Sequence, residues 1–304
     1  MTRQRALSHR GAVALALVVT LLWSSSWVLI RWGLDDEGLR PVTFAGVRYA
    51  LAVVLLWAWA AGRGERRRLL VHLAPSTLAR LALLGLLQYA LTQGALFVAL
   101  DLQPATTTSL LLALTPLAVA ALSPAWLREV PHPRQVAGAV VVAGGAAAFF
   151  SGSLGATAGG LAAALVALAA NAGSSLLGRA VNREGALPPW LVTLVSMSTG
   201  AALLVGVGFS MEGLPSISGR GWAIIGWLAA VNTALAFTWW NLSLRRLSAL
   251  ESAVLNNSML VQIALLAWLV LGEALGPEEG AGVVLVTAGV LLVSVRRGGS
   301  AGAG

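Results

Sequence analysis

Trp23-Ser24-Ser25-Ser26-Trp27-Val28-Leu29-Ile30-Arg31 lies in the second half of an apolar run that opens at Gly11. Three hydroxyls and two indoles in mid-run are too polar for a lipid-facing surface, and their surroundings are too apolar for a loop. A hydroxyl in hydrocarbon needs a partner, so the patch is expected to face protein or a cavity. Indole is flat and amphipathic, which suits the wall of a small-molecule pocket. The plainer alternative is that the three serines bond back to their own helix carbonyls and only ease close packing.

Composition sets the class. The chain of 304 residues is 58% hydrophobic and 11% charged, with a mean hydropathy of +0.82. A soluble domain carries about 25% charged residues, so the length is to be counted in membrane crossings. There is no cysteine, which excludes disulfides, thiol catalysis and cysteine metal sites. All twenty basic residues are arginine. A net charge of +8 would point to nucleic acid in a soluble protein; here it reads as the bias of cytoplasmic loops.

Ten apolar runs are long enough to span a bilayer: 11–32, 42–61, 78–100, 104–125, 134–151, 157–178, 188–210, 220–243, 248–271 and 279–296. A hydrocarbon core of about 30 Å needs about 20 helical residues. The runs are rich in Ala and Leu and lack a two-residue alternation, which predicts helices rather than barrel strands. The first run follows Arg3, Arg5 and Arg10 like a signal peptide, but it is too long for one and is read as a mature helix. Sixteen arginines fall in the N-terminus, the even-numbered connections and the C-terminus, and three (Arg31, Arg40, Arg220) on the other side. That split predicts both termini in the cytoplasm and an even number of crossings.

The chain repeats itself. A shift of 148 brings Gly11 onto Gly159, Ser26 onto Ser174, Arg31 onto Arg179 and Pro41 onto Pro189. A shift of 144 brings Glu129 onto Glu273, Pro133 onto Pro277, Gly138 onto Gly282 and Gly145 onto Gly289. The halves, 11–151 and 157–296, each hold five runs, an odd number, so the second enters from the opposite face. The expected fold is all-α and membrane-embedded, in a single domain 1–304 of ten helices as two inverted five-helix repeats. In such an architecture a central site can open to either side.

Leu22-Trp23-Ser24-Ser25-Ser26-Trp27 with Arg31 resembles the opening of the EamA-type drug/metabolite transporters. Arg48 in the second run, Pro116 in the fourth, and a glutamate closing the fourth run of each half (Leu127-Arg128-Glu129, Leu271-Gly272-Glu273) fit the same pattern. The resemblance covers residues 10–297 and is nearest to the amino-acid exporter branch (YddG-like). It implies ten helices, a central cavity and ATP-independent export of small metabolites. The chain departs from the pattern in having arginine where lysine is commoner at the first-helix end, and Leu260 opposite Pro116.

The residues themselves favour a neutral cavity. His9, His72 and His132 fall in connections, and no carboxylate falls near mid-bilayer, which argues against carboxylate-coupled proton antiport and for facilitated efflux or exchange. Glu251 reads as part of a capping box with Ser248. Arg48, well inside an apolar run, is assigned a gating or structural role, with Asp35 to Glu37 as its expected partners. Pro116 is expected to kink the fourth helix.

The candidate substrate-binding residues are Trp23, Ser24 and Trp27 in the first run, and Gln88, Tyr89, Thr92 and Gln93 in the third. Asn171 and Ser175 in the sixth, Asn232 and Trp239 in the eighth, and Ser252 and Asn256 in the ninth complete the set. Interhelical glue is the alternative for each. The second, fifth, seventh and tenth runs are barer and are expected to face lipid or scaffold. Amides serve both charged ends of a zwitterion and indoles cover its side chain, so amino acids, aromatic ones included, are the expected cargo. A broad exporter of hydrophobic cations and a non-transporting receptor are the rivals. No phosphate-binding loop, metal cluster or catalytic constellation is found, so no ATP, cofactor, metal or enzyme activity is expected.

Overall fold

The computed structural model describes residues 7–62, 64–150, 155–271 and 276–294; a few side chains within the helices, Trp27 and Arg31 among them, are not described. All regular structure among these residues is helical. Five helices start with proline at their first position, where the missing N–H costs nothing: α2 (Pro41–Ala61), α4 (Pro75–Gly85), α8 (Pro133–Phe149), α10 (Pro189–Glu212) and α14 (Pro277–Ser294). Hydroxyl caps start others, among them α1 (His9–Asp35) under Ser8, α9 (Ala158–Arg183) under Thr157 and α11 (Gly219–Trp227) under Ser218. The short basic α3 (Gly64–Val71) precedes α4 at a sharp bend.

Four rods are interrupted, three of them by π-helical stretches. α4 passes through a π-helical stretch, Leu86–Leu91, into α5 (Thr92–Leu102). α11 passes through another, Leu228–Leu235, into α12 (Ala236–Ser243). α13 (Ala249–Leu266) ends in a third, Ala267–Leu271. α6 (Ala105–Ala113) and α7 (Thr115–Leu127) are split at Leu114 by Pro116. Proline frees the carbonyl four residues back. Thr115 Oγ1 donates to the Leu112 carbonyl at 2.6 Å, and Asn257 Nδ2 donates to that of Ala113 at 2.9 Å. Thr115 and Asn257 thus satisfy backbone that lipid could not.

Among the described residues, eight helices are, taken singly, long and apolar enough to cross a membrane; a ninth results if Gly64–Leu70 and Pro75–Leu96, bent by 89°, count as one. The ten sequence runs therefore meet at most nine such helices by this measure. The fifth run gives α8, whose 17 residues rise about 25 Å.

The halves exchange neighbours. α1 packs on α12 and α13, whereas α9 packs on α5 and α7. α8 and α14 meet along glycines that share two backbone-to-backbone approaches. A Cβ on Gly138 would lie 2.9 Å from the Gly289 carbonyl oxygen, and one on Gly289 would lie 2.7 Å from that of Gly138. Gly145 and Gly282 pair the same way, at 3.0 and 2.7 Å. Residue number falls along one helix as it rises along the other, so α8 and α14 are antiparallel.

Candidate functional site

A cavity of about 400 Å³ lies between the halves, within the size range of small-molecule sites (about 300–1,000 Å³). α1 contributes Trp23, Ser26, Ile30 and Leu34; α2 contributes Pro41, Phe44, Ala45, Arg48 and Tyr49. Gln88, Thr92, Gln93 and Leu96 line it from the third rod, and Leu112 and Thr115 from the fourth. From the other half come Asn171, Ser174, Ser175 and Gly178 of α9, and Phe237, Trp240, Asn241 and Leu244 at and beyond α12. α13 adds Ser252, Ala253, Asn256 and Met259.

Of the thirteen expected contact residues, Trp23, Gln88, Thr92, Gln93, Asn171, Ser175, Ser252 and Asn256 line this cavity. Four lie elsewhere. Tyr89 is fully buried in an aromatic cluster, its ring 5.4 Å from Tyr49 and 5.1 Å from Phe237. Asn232 is fully buried and clamps α1: its Nδ2 donates to the Leu22 carbonyl and to Ser25 Oγ. Ser24 is fully buried, donating to the Thr20 carbonyl at 2.8 Å and facing Gln262 Oε1 at 3.0 Å. Trp239 packs against the main apolar core rather than the cavity. The side chain of Trp27 and the whole of Glu273 lie outside the described residues.

The π-helical turn explains the misplacement in the third rod. Inserting one residue moves the next aligned position from i+4 to i+5. Gln88 and Gln93 therefore share the cavity face while Tyr89 turns into the core. The insertion is visible as Thr92 Oγ1 bonding to the Leu87 carbonyl, five residues back, at 2.7 Å. The serines follow the plainer expectation: Ser25, Ser26, Ser174 and Ser175 all donate to carbonyls of their own helices. Ser26, Ser174 and Ser175 nonetheless also line the cavity.

α2 departs furthest from expectation, for it supplies a full wall rather than a lipid-facing surface. Arg48 does not reach Asp36 or Glu37 at the helix ends. It is 9% exposed, its Nε donates to Thr233 Oγ1 at 2.8 Å, and its Nη2 lies 3.5 Å from the Asn232 carbonyl. The same carbonyl accepts from the Trp23 indole at 3.1 Å. Trp23 rests on Phe237 and Trp240, at 4.8 and 5.1 Å between ring centroids. Tyr49, Phe237 and Met259 were missed by the sequence reading, because an apolar or aromatic residue in an apolar run carries no signal of which way it faces.

Cavity lining stops at Leu244 and Gly178, and a polar network lies beside that end. Arg179 donates to Glu129 Oε1 and to the Leu244 carbonyl, both at 2.7 Å. Glu129 Oε2 accepts from the Ala249 backbone at 3.2 Å. Asn182 donates to Asn241 Oδ1 at 2.7 Å, and Asn241 to Thr193 Oγ1 at 3.0 Å. Glu251 forms the expected capping box with Ser248 and also meets His9 Nε2 at 3.1 Å, tying α13 to α1. Burial lowers the Arg245 guanidinium from its usual range, and its Nη2 donates to the Leu187 carbonyl at 2.6 Å. At the opposite end the lining reaches Leu34 and Pro41, beside the α1–α2 turn.

Several bilayer-length apolar helices around a buried polar cavity define a multi-pass membrane protein with a small-molecule chamber. More particularly, the chain belongs to the EamA-like transporter family, whose profile matches residues 10–151 and again 158–295. Members of that family are membrane transporters of small molecules rather than enzymes. A solved structure titled only "Crystal structure of protein" is 22% identical, covers 95% of this chain and 99% of its own, and superposes with a TM-score of 0.78; it shares the fold. Comparison with curated proteins finds no match.

Proposed function

We propose that the chain is an exporter of small metabolites, amino acids and aromatic ones among them, in the inner (plasma) membrane. It works by alternating access, as a facilitator or exchanger, and stands nearest the amino-acid exporter branch of its family. Its carrying observation is the cavity of about 400 Å³ between two halves that share one family profile, walled by amides, hydroxyls and aromatic rings. Gln88, Gln93, Asn171, Ser175, Ser252 and Asn256 are the proposed polar contacts, and Trp23 the proposed apolar one.

The topology proposed is ten spans with both termini cytoplasmic, the bent third rod and α8 supplying the two that length alone leaves open. Arg10, Arg80, Arg128, Arg134, Arg179, Arg183, Arg245 and Arg246 would then share the cytoplasmic side, and Arg40 and Arg220 the other. The paired glycines of α8 and α14 support an inverted arrangement. Gly138 meets the counterpart of Gly145, Gly145 meets the counterpart of Gly138, and the helices are antiparallel. A two-fold axis in the membrane plane relates equivalent helices in that sense. In this frame the Arg179–Glu129 network closes the cytoplasmic end.

Proteoliposomes loaded with radiolabelled amino acids, with and without a pH gradient, test the reading. Efflux without a gradient supports it; flux of hydrophobic cations with none of any amino acid would transfer the chain to the drug-exporter class.

A further inference from the structure

We infer that Arg48 is the carboxylate anchor of the cavity, so that the site demands a carboxylate from its solute and does not demand an ammonium group. This rests on the reading of the cavity as the substrate site. Among the described residues that line it, Arg48 is the sole ionisable side chain of either sign apart from the phenol of Tyr49; none of them is Asp, Glu or His. The described lining therefore carries one fixed positive charge.

A guanidinium has five N–H donors and stays charged at any ordinary pH. Arg48 gives Nε to Thr233 and one Nη2 hydrogen to Asn232, and no carboxylate pairs with it among the described residues. Three donors on a side chain 9% exposed are left for whatever occupies the cavity. A buried charge without a counter-charge is costly, and a bidentate carboxylate is its best-fitting partner. Thr233 and the Tyr49 ring, 5.6 Å from the guanidinium carbon, hold the group in place.

The opposite end of a zwitterion has no such match. Among the described lining residues its ammonium finds neutral acceptors, the amide oxygens of residues such as Asn171 and Asn256. Replacing the ammonium by a neutral amide loses little there. Replacing the carboxylate by hydrogen strands Arg48 and sets a cation against it. Charged hydrogen bonds of this kind correspond to about ten- to hundredfold in affinity.

The test is calorimetric binding of three ring-matched probes to the purified full chain: phenylalanine, N-acetylphenylalanine and 2-phenylethylamine. The expected result is that the two acids bind within about tenfold of each other and the amine at least about tenfold more weakly. In Arg48→Gln the acids weaken about ten- to hundredfold while the amine does not. Arg48→Lys keeps the preference for acids at lower affinity, and the wild-type series decides the matter even where a variant does not fold. An amine that binds as well as the acids overturns the anchor and leaves the cavity reading standing. Phenylalanine binding without its N-acetyl derivative overturns the claim about the ammonium. Failure of all three to bind overturns the anchor and the cavity reading together.

Discussion

The third rods of the two halves are built alike and used differently. Each is broken by a π-helical stretch, at Leu86–Leu91 in the first half and Leu228–Leu235 in the second, and the shift of 144 lays one over the other. Gln88 and Asn232 are counterparts under that shift. Gln88 lines the cavity, whereas Asn232 is fully buried and bonded to α1. Tyr89 and Thr233 are the next pair: the tyrosine fills the core, and the threonine holds Arg48. The backbone keeps the repeat while the side chains divide the work, the first-half rod offering amides to the cavity and its counterpart fixing the cation.

Substitutions at paired positions should separate these roles. The largest effect is expected from Tyr89→Ala, which empties a fully buried aromatic site. It should cost about 3–5 kcal/mol, read as lost folded yield and a lower unfolding temperature. Thr233→Ala at the counterpart should cost about 1 kcal/mol in the same measurement, while weakening substrate binding through Arg48. Equal losses would break the comparison.

Next comes Gly85→Ala. A Cβ there would stand 2.0 Å from the Ser196 carbonyl oxygen, so α4 must move off α10 at a cost of about 3 kcal/mol. The counterpart in the second half is Ala229, which already carries that methyl group buried. Gly94→Ala, with nothing within 4 Å, is the neutral control in a thermal unfolding series.

A smaller and sharper contrast is Gln88→Leu against Asn232→Leu. The first should leave unfolding unchanged and reduce transport; the second should lower stability by about 1–2 kcal/mol through two lost interhelical bonds. Of similar size in stability is Arg179→Gln, which loses a largely buried ion pair to Glu129 and a bond to the Leu244 carbonyl and should cost about 1.5–2 kcal/mol. Its signature would be greater accessibility of the cavity from the Arg179 end, measured by labelling.

Much of this arrangement was legible in the sequence. Long apolar runs marked most of the membrane-length helices, and the glycine pairs Gly138/Gly282 and Gly145/Gly289 marked the repeat, since each depends on residue type alone. The seven amide- and hydroxyl-bearing residues that reach the cavity did so because such a group in a membrane helix has few places to go. What failed was direction. Ser24 and Asn232 satisfied the same need by bonding α13 and α1, an outcome that depends on neighbours distant in sequence. Tyr89 was misassigned because a π insertion leaves no mark in a 3.6-residue pattern. Arg48 was sent to the helix end by its charge, whereas Thr233, at a distance of 185 residues, holds it inside.

Because the chain has no cysteine, single introduced ones report position cleanly. Asn256→Cys, placed on the cavity wall, can be challenged with membrane-impermeant thiol reagents from each side of sealed vesicles. Labelling is expected from both sides, slowed by bound phenylalanine. Labelling from neither side, or from one side alone under every condition, would contradict a shared chamber that opens to each face in turn.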